Sequence, residues 1–204
     1  MDHDARGGID PASPSLTPDQ FLRMVRANPV NAALLERLPA LSLPQCHLVA
    51  GCLYQTVWNH RSGFSPTAHI EDYDIFYFDD ADLSWEAEDA VIARVNAATA
   101  DLRAALGAVV EVKNQARVHL WYEKRFGKPY PKLGSAREGI DRYLSLGTRV
   151  GIAAATGSLY APDGLDETWR GILRINPLNP IPHLFLEKAQ DLKRRWPWLT
   201  IVEP

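Results

Sequence analysis

Cysteine is scarce in this chain, and its scarcity excludes two common ways of stabilising a small protein. Cys46 and Cys52 are the only cysteines among 204 residues. An isolated pair gives neither a disulfide framework nor the repeated spacing of a structural zinc site. We therefore expect a reduced compartment and a fold that depends on an apolar core, which a hydrophobic share of 46% can supply.

Long apolar runs and several familiar enzyme motifs are also missing. No stretch approaches the roughly 18 apolar residues of a membrane span, and residues 1–16 lack the apolar segment of a signal peptide. The patterns GxxxxGKS/T, GxGxxG, HExxH and GxSxG do not occur, so the signatures of P-loop, dinucleotide, zinc-protease and hydrolase sites are absent. We expect a cytoplasmic protein with no membrane partner.

An overall excess of positive charge is absent as well. The net charge is −3 and the sequence pI is about 6.1, which argues against duplex DNA as a partner. The sum hides a segregation, because residues 72–111 hold ten acidic and two basic residues whereas residues 112–150 hold nine basic and three acidic ones. Such runs are typical of solvated helix faces, but here the first also suits a metal ion and the second an anionic substrate.

The most informative segment is the sequence Asp72-Tyr73-Asp74. It lies at the head of an aromatic and β-branched run, residues 71–78, which predicts a buried strand. Alternate residues of a strand share a face, so Asp72 and Asp74 are expected to project side by side. Two carboxylates held this close repel unless a cation lies between them, and oxygen ligands suit Mg²⁺, Mn²⁺ or Ca²⁺. The alternatives are that the pair caps a loop or binds arginines.

Capping residues, apolar periodicity and glycines predict the remaining elements. The predicted helices cover residues 17–28, 31–38, 53–60, 79–106, 135–144, 166–173 and 184–195. The predicted strands cover residues 47–50, 71–78, 108–113, 149–154 and 158–160, the last two forming a hairpin about Thr156-Gly157. In the strand at 108–113, Val110 and Val112 are predicted to face one way and Glu111 and Lys113 the other.

The same signals predict the domain organisation. Residues 1–16, rich in glycine, proline, serine and aspartate, are expected to be a flexible leader. Residues 17–204 are expected to form one domain, divided into a helical hairpin at 17–40, a core with the aspartate pair at 41–122 and a covering part at 123–204.

The order of the elements resembles the nucleotidyltransferase fold of the polymerase beta superfamily, where a strand ends in a glycine turn, a second carries a DxD pair and a third supplies another carboxylate. More closely, the chain resembles a bacterial family of nucleotidyltransferases without an assigned acceptor. The segments that carry the likeness are residues 49–53, 56–59, 72–75, 77–79, 111–117 and 119–121. The likeness implies an α+β class: a nucleotidyltransferase-like mixed β-sheet flanked by helices, with a small N-terminal helical hairpin and a C-terminal α+β extension.

The resemblance also implies the acidic residues of a catalytic site. Asp72, Asp74 and Glu111 would be both the catalytic residues and the ligands of Mg²⁺ or Mn²⁺, the expected cofactor. Glu111 could instead act as a general base, and it could also belong to the solvent face of an edge strand.

A further set of residues would bind the nucleotide. The resemblance implies contacts from Gly51, Cys52, Asn59, Lys113, Arg117 and His119. Cys52 stands in place of the glycine or serine of the superfamily, so at this position only the backbone remains to contact a phosphate. Surface roles remain open for Lys113, Arg117 and His119, and packing is favoured over base stacking for two tryptophans, Trp58 and Trp121.

The resulting functional hypothesis is an Mg²⁺-dependent nucleotidyltransferase. It would move a nucleoside monophosphate from a nucleoside triphosphate to a hydroxyl-bearing acceptor, which could be a small molecule, a protein or an RNA, and release pyrophosphate. The alternatives are a catalytically inactive nucleotide-binding or regulatory module, and a toxin–antitoxin-type component of the same fold. No motif in residues 127–204 names an acceptor.

Overall fold

Helices and strands follow one another along residues 15–204, the part of the chain that this computed structural model describes. The helices are α1 (Pro18–Arg26), α2 (Pro29–Arg37), α3 (Gly51–Ser62), α4 (Trp85–Ala98), α5 (Ala100–Leu106), α6 (Tyr122–Phe126), α7 (Ala136–Ile140), α8 (Asp166–Arg170) and α9 (Pro182–Arg195). The strands are β1 (His47–Val49), β2 (Tyr73–Tyr77), β3 (Val110–Asn114), β4 (Gly151–Ala153), β5 (Leu159–Tyr160), β6 (Ile172–Arg174) and β7 (Thr200–Val202). Short 3₁₀ helices cover Leu38–Leu41, Gln115–Leu120 and Leu146–Thr148.

Five of the strands form one mixed sheet in the order β3-β2-β1-β4-β5. The pairs β1–β2, β1–β4 and β4–β5 are antiparallel, whereas β2 and β3 run parallel and are connected through α4 and α5. A second, two-stranded sheet pairs β6 with β7 in parallel. The mixed sheet flanked by helices confirms the predicted fold class.

The two faces of the large sheet pack against different parts of the chain. Alternation puts Leu48, Ile75 and Val112 on one face, within the main core that also includes buried residues of α1, α2 and α3. The opposite face presents Val49 and Phe76 to a smaller apolar cluster, which includes residues of α7 and the loop before it. The side chains of Asp74, Glu111 and Lys113 also lie on this second face. Among residues 15–204, no helix has both the length and the hydrophobicity needed to cross a bilayer.

The first helix confirms its predicted start. The Thr17 hydroxyl accepts a hydrogen bond from the Gln20 N–H at 3.2 Å, and the Gln20 side chain accepts one from the Thr17 N–H at 2.8 Å, which together make a capping box. Of the predicted leader, residues 1–14 lie outside the described residues, and Leu16 is buried in the main core. The domain division stays a prediction.

The predicted helix at 79–106 was wrong at its beginning. The Asp79 and Asp82 side chains accept hydrogen bonds from N–H groups two residues further on, at 3.1 and 2.9 Å, and so form turns instead of a first helical turn. Helix α4 begins after Ser84, whose hydroxyl caps it by accepting a hydrogen bond from the Ala87 N–H at 3.2 Å.

The same predicted helix is also interrupted in its middle. At Thr99 the backbone leaves the helical region, and the Thr99 hydroxyl donates to the Val95 carbonyl at 2.9 Å. Such bonds offer the backbone a competing partner inside a helix. The predicted single helix is therefore two, α4 and α5, and Gly107 ends the second with a positive φ of 66° as expected.

Two predictions in the C-terminal part were wrong in extent. The helix predicted at 135–144 ends at Ile140, and the one predicted at 166–173 ends at Arg170 because Gly171 adopts a φ of 68°. The residues after Gly171 form β6, which pairs with β7. Neither β6 nor β7 was predicted, because each is only three residues long and its partner is distant in sequence.

The turn from β1 into α3 is conformationally strained. Ala50 adopts φ 64° and ψ −140°, a region that is nearly reserved for glycine, and it precedes the helix directly. Residues held in such regions cost about 1–3 kcal/mol each and persist where the surrounding structure fixes them. Here the antiparallel pairing of Val49 with Asp74 on one side and with Gly151 on the other fixes the end of β1.

We expect Ala50→Gly to increase the free energy of unfolding by about 1 kcal/mol. Glycine relieves the strain at this φ, and the relief exceeds its entropic cost of about 0.5–1 kcal/mol. Urea denaturation measures the difference. The matched control is Ala153→Gly in the regular strand β4, which should lower stability, and a loss of stability in both variants would show that Ala50 is not strained.

Candidate active site

Three carboxylates converge at one end of the large sheet. Asp74 of β2 is the direct neighbour of Glu111 of β3 in the parallel ladder, so both side chains lie on the same face. Asp72 lies two residues before Asp74 at the entrance to β2, and both aspartates line one cavity. The structure therefore brings the three acidic residues implied by the resemblance to one face.

The aspartates lie in an electrostatically unfavourable environment. Burial is the main cause that raises the pKa of Asp74 to about 6, and the neighbouring Asp72 and Glu111 charges add to the effect. The pKa of Asp72 is raised by burial first and by Glu111 second. Like charges held close in a partly desolvated place disfavour the ionised form, which is common where a protein binds cations or performs chemistry.

Lys113 supplies the nearest positive charge. Its Nζ lies 2.7 Å from a carboxylate oxygen of Glu111 and 3.6 Å from one of Asp74. Burial lowers the pKa of Lys113, but the two carboxylates outweigh burial and the net pKa is raised. The Lys113 ammonium group is thus close to the carboxylate of Asp74 on β2 and to that of Glu111 on β3.

A cavity of about 230 Å³ opens next to the aspartates; we call it the first cavity. Its lining on the sheet side comes from Ala50 and Gly51, at the beginning of α3, and from the two aspartates. The opposite wall comes from the C-terminal part of the chain, with Leu173 of β6 and Phe185 and Leu192 of α9. An apolar wall facing a few charged groups is the usual build of a small-molecule site.

Three enclosed polar atoms on the lining of the first cavity have no hydrogen-bond partner among the described residues. They are the Gln55 side-chain oxygen, the Ser145 hydroxyl and the Tyr143 hydroxyl. Buried polar atoms are nearly always paired, so three unpaired ones on residues of a single cavity distinguish this place from the ordinary core, although the atoms themselves are enclosed.

The glycine turn contributes backbone to the first cavity. A Cβ added at Gly51 would lie 2.6 Å from the Gln55 amide nitrogen, so glycine lets this amide lie against the turn. No side chain caps the N-terminus of α3. The Cys52 thiol is buried and donates to the Val49 carbonyl at 3.2 Å, and Cys52 is not among the residues that line the first cavity.

Asn59 does not reach this site. It lies in the third turn of α3, is fully buried, and donates to the Ala68 and Pro66 carbonyls at 2.6 and 3.3 Å. Its side-chain oxygen accepts a hydrogen bond from the Trp196 indole at 3.0 Å. These bonds give Asn59 a structural role, tying α3 to the following loop and to the residue after α9.

Two basic residues implied as nucleotide contacts also lie elsewhere. Arg117 is buried, forms an ion pair with Glu88 of α4, and stacks 4.3 Å from the centroid of the exposed Trp85 ring. His119 belongs to the same 3₁₀ helix, and its Nδ1 is enclosed without a hydrogen-bond partner in residues 15–204. Neither residue lines the first cavity.

Several side chains that line the first cavity beside the aspartates were not predicted from the sequence. Lys188, on α9, is exposed at the first cavity and its charge acts to lower the pKa of Asp72. Tyr54 and Gln55 follow the glycine turn, while Tyr143 and Ser145 come from the segment after α7. Tyr54 and Gln55 lie one turn into α3, and this position could have predicted them as site residues. No local sequence signal marks Lys188, Tyr143 or Ser145.

The residues fit a hard divalent cation by their chemistry. Three carboxylates supply oxygen ligands only, and burial together with mutual repulsion raises the pKa values of Asp72 and Asp74, which a bound cation would lower. Among the described residues, however, no group of three or more acidic, histidine or cysteine side chains is arranged to coordinate a metal ion. Glu111 instead directs a carboxylate oxygen to Lys113.

The fold and the site together define a class of protein. A solved NMR structure described as a CCA-adding enzyme head domain shares the fold, with a TM-score of 0.70 and 22% sequence identity, over 92% of this chain and 97% of that chain. A family model described as nucleotidyltransferase matches residues 36–201. The chain belongs to this nucleotidyltransferase family and is a transferase for which a nucleoside triphosphate is the implied substrate. A search of curated proteins gave no match.

We expect Asp74→Asn to stabilise the metal-free protein at neutral pH. Because the folded-state pKa of about 6 exceeds the ordinary value of about 3.9, ionised Asp74 lowers stability as the pH rises from about 4 to 6. The substitution should add about 1–3 kcal/mol to the free energy of unfolding at pH 8 and much less at pH 4. Urea denaturation in EDTA at both pH values measures this.

The control for this prediction is Asp80→Asn, which removes an exposed carboxylate outside the cluster. It should change stability by no more than about 0.5 kcal/mol at either pH. If Asp74→Asn were less stable than the natural protein at pH 8, the carboxylate cluster would not be a source of repulsion.

We expect Arg117→Met to act on stability and not on nucleotide affinity. It leaves Glu88 as a buried charge without its ion-pair partner, which typically costs about 3–5 kcal/mol. The double variant Arg117→Met, Glu88→Met should recover much of that loss, and the exposed Arg125→Met should lose little. Thermal unfolding of the three variants measures these differences. If Arg117→Met were as stable as the natural protein but bound nucleotide more weakly, Arg117 would be a nucleotide-binding residue after all.

Proposed function

We propose that the protein is a divalent-metal-dependent nucleotidyltransferase that transfers a nucleoside monophosphate from a nucleoside triphosphate to a hydroxyl group and releases pyrophosphate. The acceptor carries that hydroxyl on a small molecule, a protein or an RNA. The cytoplasmic location inferred from the sequence belongs to this proposal.

One observation carries the proposal. Glu111 is paired directly with Asp74 across the parallel strands, on the face that Asp72 and Asp74 present to the first cavity. A single acidic pair at a strand end would be weak support, because such pairs also cap loops. Asp74 in register with Glu111, with Asp72 two residues earlier and a glycine turn nearby, is the arrangement that the sequence resemblance implies.

The donor would lie in the first cavity with its triphosphate toward the glycine turn. Gly51 lets the backbone approach the phosphates, and the uncapped N-terminus of α3 points its free backbone groups at them. Lys188 and Lys113 add positive charge from α9 and β3. The apolar wall of the C-terminal part would cover the nucleoside.

The carboxylates would perform the chemistry. Asp72, Asp74 and Glu111 would hold Mg²⁺ or Mn²⁺, and the bound cation would neutralise phosphate charge and lower the pKa of the acceptor hydroxyl. Glu111 would accept the hydroxyl proton while the acceptor oxygen forms a bond to the α-phosphorus. The bond between the α-phosphorus and the bridging oxygen breaks, and pyrophosphate leaves with the electron pair.

A second candidate function is a nucleotide-binding module without turnover. The specific observation in its favour is Lys113, because its ammonium group lies near both Glu111 and Asp74 and offsets part of their negative charge without a metal. Cys52, which offers no hydroxyl to a phosphate, points the same way. Such a protein would bind a nucleoside triphosphate and not consume it.

Incubation with each of the four ribonucleoside triphosphates, Mn²⁺ and a mixture of hydroxyl-bearing acceptors tests the proposal. We expect pyrophosphate release by the natural protein, and a fall of at least about 100-fold in Glu111→Gln and Asp74→Asn, because each loses a group required in the transition state. Asp80→Asn should retain full activity. Calorimetric titration with the same nucleotides in Ca²⁺ reports binding separately.

Two results would contradict the proposal. Equal pyrophosphate release by Glu111→Gln and the natural protein would remove Glu111 from the reaction. Tight nucleotide binding without release, across all four nucleotides and a mixture of hydroxyl-bearing acceptors, would favour the binding module.

A further inference from the structure

A second cavity, also of about 230 Å³, lies on the same face of the sheet, on the other side of the carboxylates. Phe76 lines it two residues after Asp74 on β2, and Lys113 lines it two residues after Glu111 on β3. Tyr143 lines both cavities and lies between them. The two aspartates therefore line the first cavity, and the second cavity begins two residues further along both strands, where Lys113 contacts Glu111 at 2.7 Å.

The position of the glycine turn indicates which cavity takes which substrate. The turn and Lys188 border only the first cavity, where the proposed function puts the donor. Lys113, which contacts Glu111 at 2.7 Å, borders the second. An acceptor hydroxyl approaching Glu111 from the side opposite the donor would come from the second cavity.

Aromatic rings form the outer wall of the second cavity. Tyr122 packs against Phe126 and Tyr130, with ring centroids 4.6 and 4.3 Å apart. Tyr122 and Tyr130 are only half-buried, so part of each ring is left open toward the cavity. A preassembled aromatic wall favours a planar ring system as the ligand, because stacking on it needs no rearrangement.

Cations are interleaved with these rings along residues 121–132. Lys124, Arg125, Lys128 and Lys132 are all exposed in this stretch. Arg142 lines the cavity and lies 5.4 Å from the Tyr130 ring centroid. Aromatic faces combined with positive charges are how proteins bind single-stranded nucleic acid and nucleotides, whereas a neutral ring would need no such flank.

The size of the second cavity limits what can enter it. Drug-sized ligands occupy pockets of roughly 300–1,000 Å³, so a cavity of about 230 Å³ holds one ring system and leaves the remainder of a larger ligand outside, and the same limit has the donor triphosphate extend beyond the first cavity. The exposed cations of residues 124–132 lie in the same chain segment as the aromatic wall. Phosphate groups attached to the bound ring would therefore leave the cavity near these positive charges.

We propose that the second cavity is the acceptor site of the transferase, and that the acceptor is a nucleotide, free or at the end of a single strand. Its base stacks on the wall of Tyr122 and Tyr130, its phosphates face the cations of residues 124–142, and its hydroxyl reaches Glu111. That hydroxyl oxygen bonds to the α-phosphorus of the donor as pyrophosphate leaves. This inference rests on the proposed function.

The test offers two acceptor probes with an α-labelled nucleoside triphosphate and Mn²⁺. One is adenosine 5′-monophosphate, and the other is a 12-nucleotide single-stranded RNA of mixed sequence. Two comparison probes are ribose 5-phosphate, which lacks a base, and an acidic peptide containing serine and tyrosine. We expect label on a base-containing probe only, and the one that is labelled identifies the source of the nucleotide.

Variants of the aromatic wall separate the two cavities. Tyr122→Leu should raise the acceptor KM about tenfold or more and leave donor affinity, measured by calorimetry in Ca²⁺, within twofold. Tyr122→Phe keeps the ring and should retain acceptor binding. The exposed double variant Lys124→Gln, Lys128→Gln should weaken binding of the RNA more than binding of adenosine 5′-monophosphate, which carries a single phosphate, and Arg103→Gln, exposed on α5, is the charge control.

The outcomes distinguish this inference from the proposed function. If donor nucleotide binds and the label goes to the peptide or to ribose 5-phosphate, or if Tyr122→Leu leaves labelling of the nucleotide probes unchanged, the acceptor assignment is overturned. The same holds if the donor binds and neither nucleotide probe is labelled or bound. If the donor itself does not bind, the proposed function fails first, and the acceptor site fails with it.

Discussion

The parallel pairing of β2 with β3, with Asp74 opposite Glu111, is the constraint on which the site depends. A shift of one residue would turn Glu111 to the core face and bring Val110 or Val112 to the carboxylates. Burial of Ile75 and Val112 on the core face opposes such a shift. The end of β3 is also held, because Asn114 exchanges hydrogen bonds of 3.1 and 2.7 Å with the Asp79 backbone.

Two unfavourable features lie at the same end of the sheet. Ala50 is strained where β1 enters α3, and its neighbour Val49 pairs with Asp74, whose carboxylate is held near two others. Natural sequences depart from local rules mainly where function requires it, and the rest of the fold compensates. Here the compensation lies on the opposite face, where α3 packs Trp58 against Trp196 within the main core.

The sequence predicts the parts of the site that are local. Strand alternation alone places Asp72 beside Asp74 and separates Glu111 from Val110 and Val112, and the helix signals around Gly51 give the turn. The adjacency of Glu111 came from family resemblance, and the parallel orientation of β2 and β3 was not predicted. Lengths of short elements were predicted less well, since Thr99 and Gly171 end helices through contacts and backbone angles that periodicity does not report.

Non-local contacts account for the residues that sequence reasoning placed elsewhere. Arg117 has the right charge and lies near the carboxylates in sequence, but Glu88, from a helix 29 residues earlier, holds it in a buried pair. Conversely Lys188 reaches Asp72 from a helix more than one hundred residues away. A motif can therefore name the reacting carboxylates and cannot name the groups that fold over them.

This separation explains why the donor can be inferred from the family while the acceptor requires the structure. The proposed donor side takes the two aspartates from β2 and the residue before it, and Gly51 from the start of α3, all within the segments that carry the sequence resemblance. The second cavity takes its wall from residues 121–130 and its floor from Phe76 and Tyr143. Tyr143 lines both cavities. Burial raises the pKa of Tyr143, and the charge of the nearby Asp74 adds to this effect. A single aromatic ring therefore connects the proposed donor site with the proposed acceptor site.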